Sequence, residues 1–151
     1  MTKTLYVLNG PSMDLRGARA DETDGRASLA DVEELCRDAA ARFALGIEFR
    51  HSPHEGALID WIHEGTRNAA CGIVINPAGY TTTSQAIPDA IQAISIPVVE
   101  VHISNIHARE DFRRRRYISR GVRAVICGFG VEGYALAIIG LATMVGAEVN
   151  N

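Results

Sequence analysis

Apolar residues recur along this chain in two alternating rhythms. Short runs of strand length occupy Thr4–Asn9 (TLYVLN), Ile47–His51, Gly72–Asn76 (GIVIN), Pro97–His102 (PVVEVH) and Val122–Cys127 (VRAVIC), mostly apolar. Runs of that length suit strands buried on both faces. Between them lie stretches with helical spacing. Leu29, Val32, Cys36, Ala39 and Phe43 mark one buried helix face. Ser28 is placed to cap that helix, and Asp31 lies in its first turn, where the helix dipole favours a carboxylate. Gly46 is expected to close it as a left-handed cap. A second helix begins around Leu58 and ends near Ala69, and a third covers Ser84–Ile94 with Pro88 tolerated in its first turn. A long apolar helix, Val131–Val145, closes the chain.

Strands alternating with helices imply βαβ units and a parallel sheet. The expected fold class is α/β, a three-layer α/β/α sandwich on a five-stranded parallel sheet. Its 151 residues suit a single domain spanning 1–151. With 47% apolar and 22% charged residues, the chain has enough apolar surface for a core of its own. No apolar run reaches the roughly 18 residues of a membrane span, and no secretory signal pattern opens the chain. A cytoplasmic protein with no membrane partner is therefore expected. A net charge of −3 argues against a general nucleic-acid binder. Cys36, Cys71 and Cys127 are odd in number and far apart, so buried reduced thiols are expected.

In open parallel sheets ligands bind beyond the carboxyl ends of the strands. Three of those ends are polar: Asn9-Gly10-Pro11-Ser12, Asn76-Pro77-Ala78-Gly79 and His102-Ile103-Ser104-Asn105. They should converge on one cleft. Glu100 and His102 alternate on an extended segment, so their side chains project to the same side. A carboxylate beside an imidazole favours its protonated form and orients it, as a general acid requires; the same pair also reads as a structural histidine at a strand end. The turn at Ile103-Ser104 offers backbone N–H groups to an anion. Arg113 to Arg116 form a dense basic run, either a solvated or interfacial face or the source of one functional guanidinium. The polar stretch between Gly17 and Ser28 is either a surface loop or a lid. No phosphate-binding glycine motif follows the first strand, and the histidines lack zinc-ligand spacing. No cofactor or metal is expected.

Four motifs occur in a recognisable order: LNGPSMDLRG, INPAGYTTTS, EVHISNIHARE and ICGFGVEGY. Together they resemble the type II dehydroquinase (3-dehydroquinate dehydratase) family over nearly the whole chain. The resemblance implies a flavodoxin-like fold and a metal-free hydro-lyase of the shikimate or quinate pathways. The implied reaction is elimination of water from 3-dehydroquinate through an enolate, and the implied assembly is a dodecamer of four trimers. By position, His102 corresponds to the general acid, Glu100 to the carboxylate that orients it, and Asn76 to an active-site amide. Ile103 and Ser104 would hold the substrate carboxylate through their backbone, and Arg113 would bind ring hydroxyls. Asp89 would reach a neighbouring subunit's site, and Arg19 is the lid arginine.

Several positions in the lid or the site depart from the family pattern. The lid keeps Arg19 and Gly25 but reads Ala20-Asp21 where the family has glutamate and proline, and Asp24 occupies the position of the lid tyrosine that serves as base. Ser12 stands where NGPN has asparagine, and Thr82 where THTS has a substrate-binding histidine. Asp24 is the candidate base in this chain. A different substrate, or a silent ligand-binding role, is the alternative these changes raise.

Overall fold

The computed structural model describes residues 2–13, 27–108 and 115–150. Among them lie five strands, β1 (Thr4–Asn9), β2 (Gly46–His51), β3 (Gly72–Asn76), β4 (Val98–His102) and β5 (Ala124–Cys127). The helices are α1 (Leu29–Ala41), α2 (Glu55–Arg67), α3 (Ala86–Gln92) and α4 (Glu132–Met144). The strands pair in parallel in the order β2-β1-β3-β4-β5. This doubly wound, flavodoxin-like order reverses direction between β1 and β3, where such sheets open a crevice for ligands.

The two-residue period of the strands sorts their side chains between two apolar layers. Leu5, Val7, Val74, Val99 and Val101 face α1 and α4. Tyr6, Leu8, Ile73, Ile75 and Val98 face α2 and α3. Strands β3 and β4 are buried along their whole length, their polar residues Asn76, Glu100 and His102 included, whereas edge strands β2 and β5 are only partly covered. On β2, Arg50 lies over the rings of Tyr6 and Trp61 at 5.3 and 5.5 Å and pairs with Glu48 and Glu64. This holds Glu64 below the usual carboxylate range, through the hydrogen bond from Arg50. Among the described residues no helix is long and apolar enough to cross a membrane.

Helix α1 starts as its sequence suggests. The Ser28 hydroxyl accepts from Asp31 N–H at 3.1 Å, and the Asp31 carboxylate accepts from Ser28 N–H at 2.8 Å, a reciprocal capping box. Its other end differs from expectation. Leu45 N–H reaches Ala40 O at 3.1 Å and Ala44 N–H reaches Ala41 O at 3.1 Å, with Ala44 at φ +52°. The left-handed residue is thus Ala44, and Gly46 instead opens β2, its N–H donating to Lys3 O. The thiols differ as well: Cys36 is buried, but Cys71 and Cys127 are half-buried, because Cys127 ends an edge strand. Helix α3 is shorter than its apolar pattern, beginning at Ala86 because Ser84 is consumed as a cap, its hydroxyl accepting from Ile87 N–H at 3.0 Å.

Candidate active site

Asn9, Asn76 and His102 end three adjacent strands, β1, β3 and β4, and all three are buried. Asn9 and Asn76 are register partners at the point where the sheet reverses direction. The chain leaves β1 through Gly10, whose N–H donates to Asn76 O at 2.8 Å. A Cβ on residue 10 would lie 2.8 Å from Pro77 O, so only glycine lets the two strand ends close together. Ser12 follows, exposed and left-handed at φ +67°.

One side of the site is a hydrogen-bonded carboxylate–imidazole pair in the α2–α3 layer. Glu100 has no exposed surface, and its Oε2 meets His102 Nε2. Two hydroxyls also donate to this carboxylate, Thr81 Oγ1 at 3.3 Å and Ser119 Oγ at 3.1 Å. A buried carboxylate is costly unless its oxygens are occupied, and here three side chains occupy them. The imidazole is thereby fixed by a carboxylate that is itself fixed. Strand β4 supplies both members of the pair, and alternation puts them on one face as its sequence predicts.

The amide side lies in the other layer. Asn76 Oδ1 accepts from Ala78 N–H at 3.1 Å, while its Nδ2 donates to the Tyr134 hydroxyl at 2.9 Å. Tyr134 donates in turn to Asn9 Oδ1 at 2.7 Å, and Asn9 Nδ2 donates to Arg50 O at 3.0 Å. Met13 Sδ lies 3.5 Å from the Asn76 nitrogen. Ala78, which supports this amide, is held left-handed at φ +51°.

Beyond β4, the carbonyls of His102 and Ile103 accept from Gly128 and Gly130 N–H at 3.3 and 3.0 Å. These bonds pin the Ile103-Ser104 turn against the Gly128-Phe129-Gly130 link into α4. The Asn105 side chain accepts from His107 N–H at 3.1 Å, and a guanidinium nitrogen of Arg116 donates to Ile106 O, so the following loop is tied as well. Arg116 is therefore a structural member of the basic run, half-buried, whereas Arg115 is exposed.

The Thr82 hydroxyl donates to Gly79 O at 3.1 Å, within its own turn of 3-10 helix. Asp89 is exposed in the first turn of α3. Arg19, Asp24 and Arg113 lie outside the described residues. The structure thus brings together Asn76, Glu100, His102 and the Ile103-Ser104 turn. It adds Thr81, Ser119, Tyr134 and Asn9, which motif reasoning did not list as site residues. A hydroxyl partner for a buried Glu100 is demanded by physics, but no local spacing says which hydroxyl. Tyr134 did carry a signal, a phenol in an otherwise apolar helix that must find a partner when buried.

A family model for class II dehydroquinases matches residues 3–142. A 3-dehydroquinate dehydratase of Acidovorax ebreus (strain TPSY) is 57% identical over 146 residues, covering 94% of this chain and 99% of that protein. One from Rhodopseudomonas palustris (strain BisA53) is 53% identical over 146 residues, with 97% of each covered. The crystal structure of a type II dehydroquinase from Propionibacterium acnes superposes with a TM-score of 0.89 at 36% identity, covering 95% of this chain and 98% of that one. These likenesses extend over nearly the whole chain and over its fold: the chain belongs to the class II dehydroquinase family.

Proposed function

We propose that this protein is a hydro-lyase that removes water from 3-dehydroquinate through an enolate. The observation that carries the reading is the buried Glu100–His102 pair, beside Asn76, at the carboxyl end of the sheet in a chain of this family. In the reading, a base removes a proton next to the ring carbonyl, and the carbonyl oxygen takes up the negative charge as an enolate. Collapse of the enolate expels a hydroxyl, and protonated His102 donates to that oxygen, so water leaves. Glu100 keeps the imidazole aimed and balances its charge. Asn76 presents its amide to the reacting oxygens. The backbone of Ile103 and Ser104 receives the substrate carboxylate, and Arg113 binds ring hydroxyls.

Asp24, at the sequence position of the lid tyrosine, is the proposed base. A carboxylate is a weaker base than a tyrosinate, so the reading implies slow proton removal. The test is the absorbance of an enone product formed from 3-dehydroquinate, by wild type and by Asp24→Asn. Turnover that falls about 10²–10⁴-fold with Asp24→Asn, at little change in KM, supports Asp24 as base. Undiminished turnover moves the role elsewhere. No enone from the wild type removes the reaction.

A second reading follows from Ser12, Asp24 and Thr82. The Thr82 hydroxyl is spent on Gly79 O, where the family has a substrate-binding histidine. A silent ligand-binding homologue would show binding of 3-dehydroquinate without product. Asp89, exposed on α3, supports a homo-oligomer whose sites are completed by a neighbour, a trimer within a dodecamer. Light scattering should then give no monomer at micromolar concentration, and a monomer contradicts it. The same reading places the enzyme in the cytoplasm, in the shikimate or quinate pathways.

A further inference from the structure

We infer that Tyr134 and Asn9 are positioning residues that fix which way round the Asn76 amide points. The inference rests on the proposed dehydratase reading only in that Asn76 meets the substrate. An amide is nearly symmetric in shape but not in chemistry, and a half-turn about its last bond exchanges two donors for an acceptor. An amide that must donate to a reacting oxygen therefore needs something to forbid the exchanged form.

Four consecutive hydrogen bonds supply that constraint. The chain begins at Arg50 O, a backbone carbonyl, which can only accept. Asn9 must therefore turn its nitrogen to Arg50, at 3.0 Å, and its oxygen the other way. That oxygen claims the Tyr134 proton at 2.7 Å, which leaves the phenol oxygen an acceptor toward Asn76. The Asn76 nitrogen donates to it at 2.9 Å, and the Asn76 oxygen faces Ala78 N–H at 3.1 Å. An exchanged Asn76 would set its oxygen against the phenol oxygen and its N–H against the Ala78 N–H. Both ends of the amide forbid it. Asn9 and Tyr134 have no exposed surface and Asn76 has 3%, so no bulk water stands in to soften either clash.

One hydrogen of Asn76 Nδ2 remains outside this chain, on the side of Met13 Sδ at 3.5 Å. A thioether is a weak acceptor, which a substrate oxygen displaces readily. The arrangement thus holds one N–H as a preset donor at the point where the sheet reverses. The phenol comes from the first turn of α4, on a different element from either asparagine, so the register of α4 against β1 and β3 sets the donor's aim.

The test is kcat and KM on 3-dehydroquinate for wild type, Tyr134→Phe, Asn76→Ala and the double variant. Tyr134→Phe should lower kcat by about 10- to 100-fold with KM nearly unchanged, the scale expected of a misaligned group. In the Asn76→Ala background the same change should cost no more than about two-fold, because its route through Asn76 is already gone. Wild-type kcat in Tyr134→Phe overturns the inference, and so does an equal loss with and without Asn76, which would mark a packing role. Should Tyr134→Phe fail to fold, Asn9→Ser breaks the same chain one link earlier and is judged by the same cycle. Should wild type show no turnover, the dehydratase reading fails. The inference is then decided by the neutron crystal structure of Tyr134→Phe, or of Asn9→Ser, in which amide nitrogen and oxygen are told apart. A turned or split Asn76 amide supports it, and an amide unchanged in both place and orientation overturns it.

Discussion

Asn9, Glu100 and Tyr134 are polar side chains without exposed surface, and each is held by partners from other elements. That is the condition under which buried polar groups specify a structure instead of weakening it. Glu100 and His102 are legible in the sequence because their partnership is local, two residues apart on one strand. Thr81, Ser119 and Tyr134 are not, since their partners lie 19 to 125 residues away and only the folded sheet brings them together. Cys36 shows the same burial acting on a proton. Desolvation in the α1 core, with Glu33 adding to it and Arg37 opposing, pushes the thiol up from 9.0 to about 12. Between those values the unfolded chain releases the thiol proton while the native protein keeps it. Stability therefore falls as pH rises through that window, by at most about 1.4 kcal/mol per pH unit from this group. Urea midpoints at pH 8, 9.5 and 10.5 should fall less steeply in Cys36→Ala than in wild type. Parallel slopes would contradict the assignment.

Helix ends divide into those the sequence announces and those it conceals. Ser28 and Asp31 announce the start of α1 because both halves of a capping box are side chains, readable at a spacing of three. The end of α1 is concealed because alanine does the work usually given to glycine, and α2, which ends near Ala69 as expected, closes on an alanine as well. Ala44 and Ala69 sit at φ +52° and +56°, each at the left-handed position of a Schellman turn, which Gly146 fills after α4. A left-handed alanine costs about 1–2 kcal/mol relative to a glycine's indifference, and glycine's extra unfolded-state entropy returns about 0.4–1 of that. Ala44→Gly and Ala69→Gly, both exposed sites, should each stabilise the protein by roughly 0.5–1 kcal/mol. Calorimetry should show a Tm rise of about 1–4 °C for each. A fall would mean that the turns relax with no strain to relieve.

At the scale of the whole molecule, sheet order and site follow from one another. Apolar strand runs alternating with helices pointed to a parallel sheet covered on both faces, and the reversal between β1 and β3 placed Asn9 and Asn76 at its crevice. What the strand pattern could not reveal is that the site has two independent halves. Glu100 and His102 are anchored in the layer of α2 and α3, whereas Asn76 is anchored through Tyr134 in the layer of α1 and α4. In the proposed reading, a substrate bridging the strand ends meets the imidazole on one side of the sheet and the amide on the other. The most direct measurement of this account is the rate of enone formation from 3-dehydroquinate by wild type and by His102→Ala, followed by absorbance under saturating substrate. Measurable wild-type turnover that falls about 10²–10⁴-fold in His102→Ala is the predicted result. Turnover that survives the loss of His102 would contradict it.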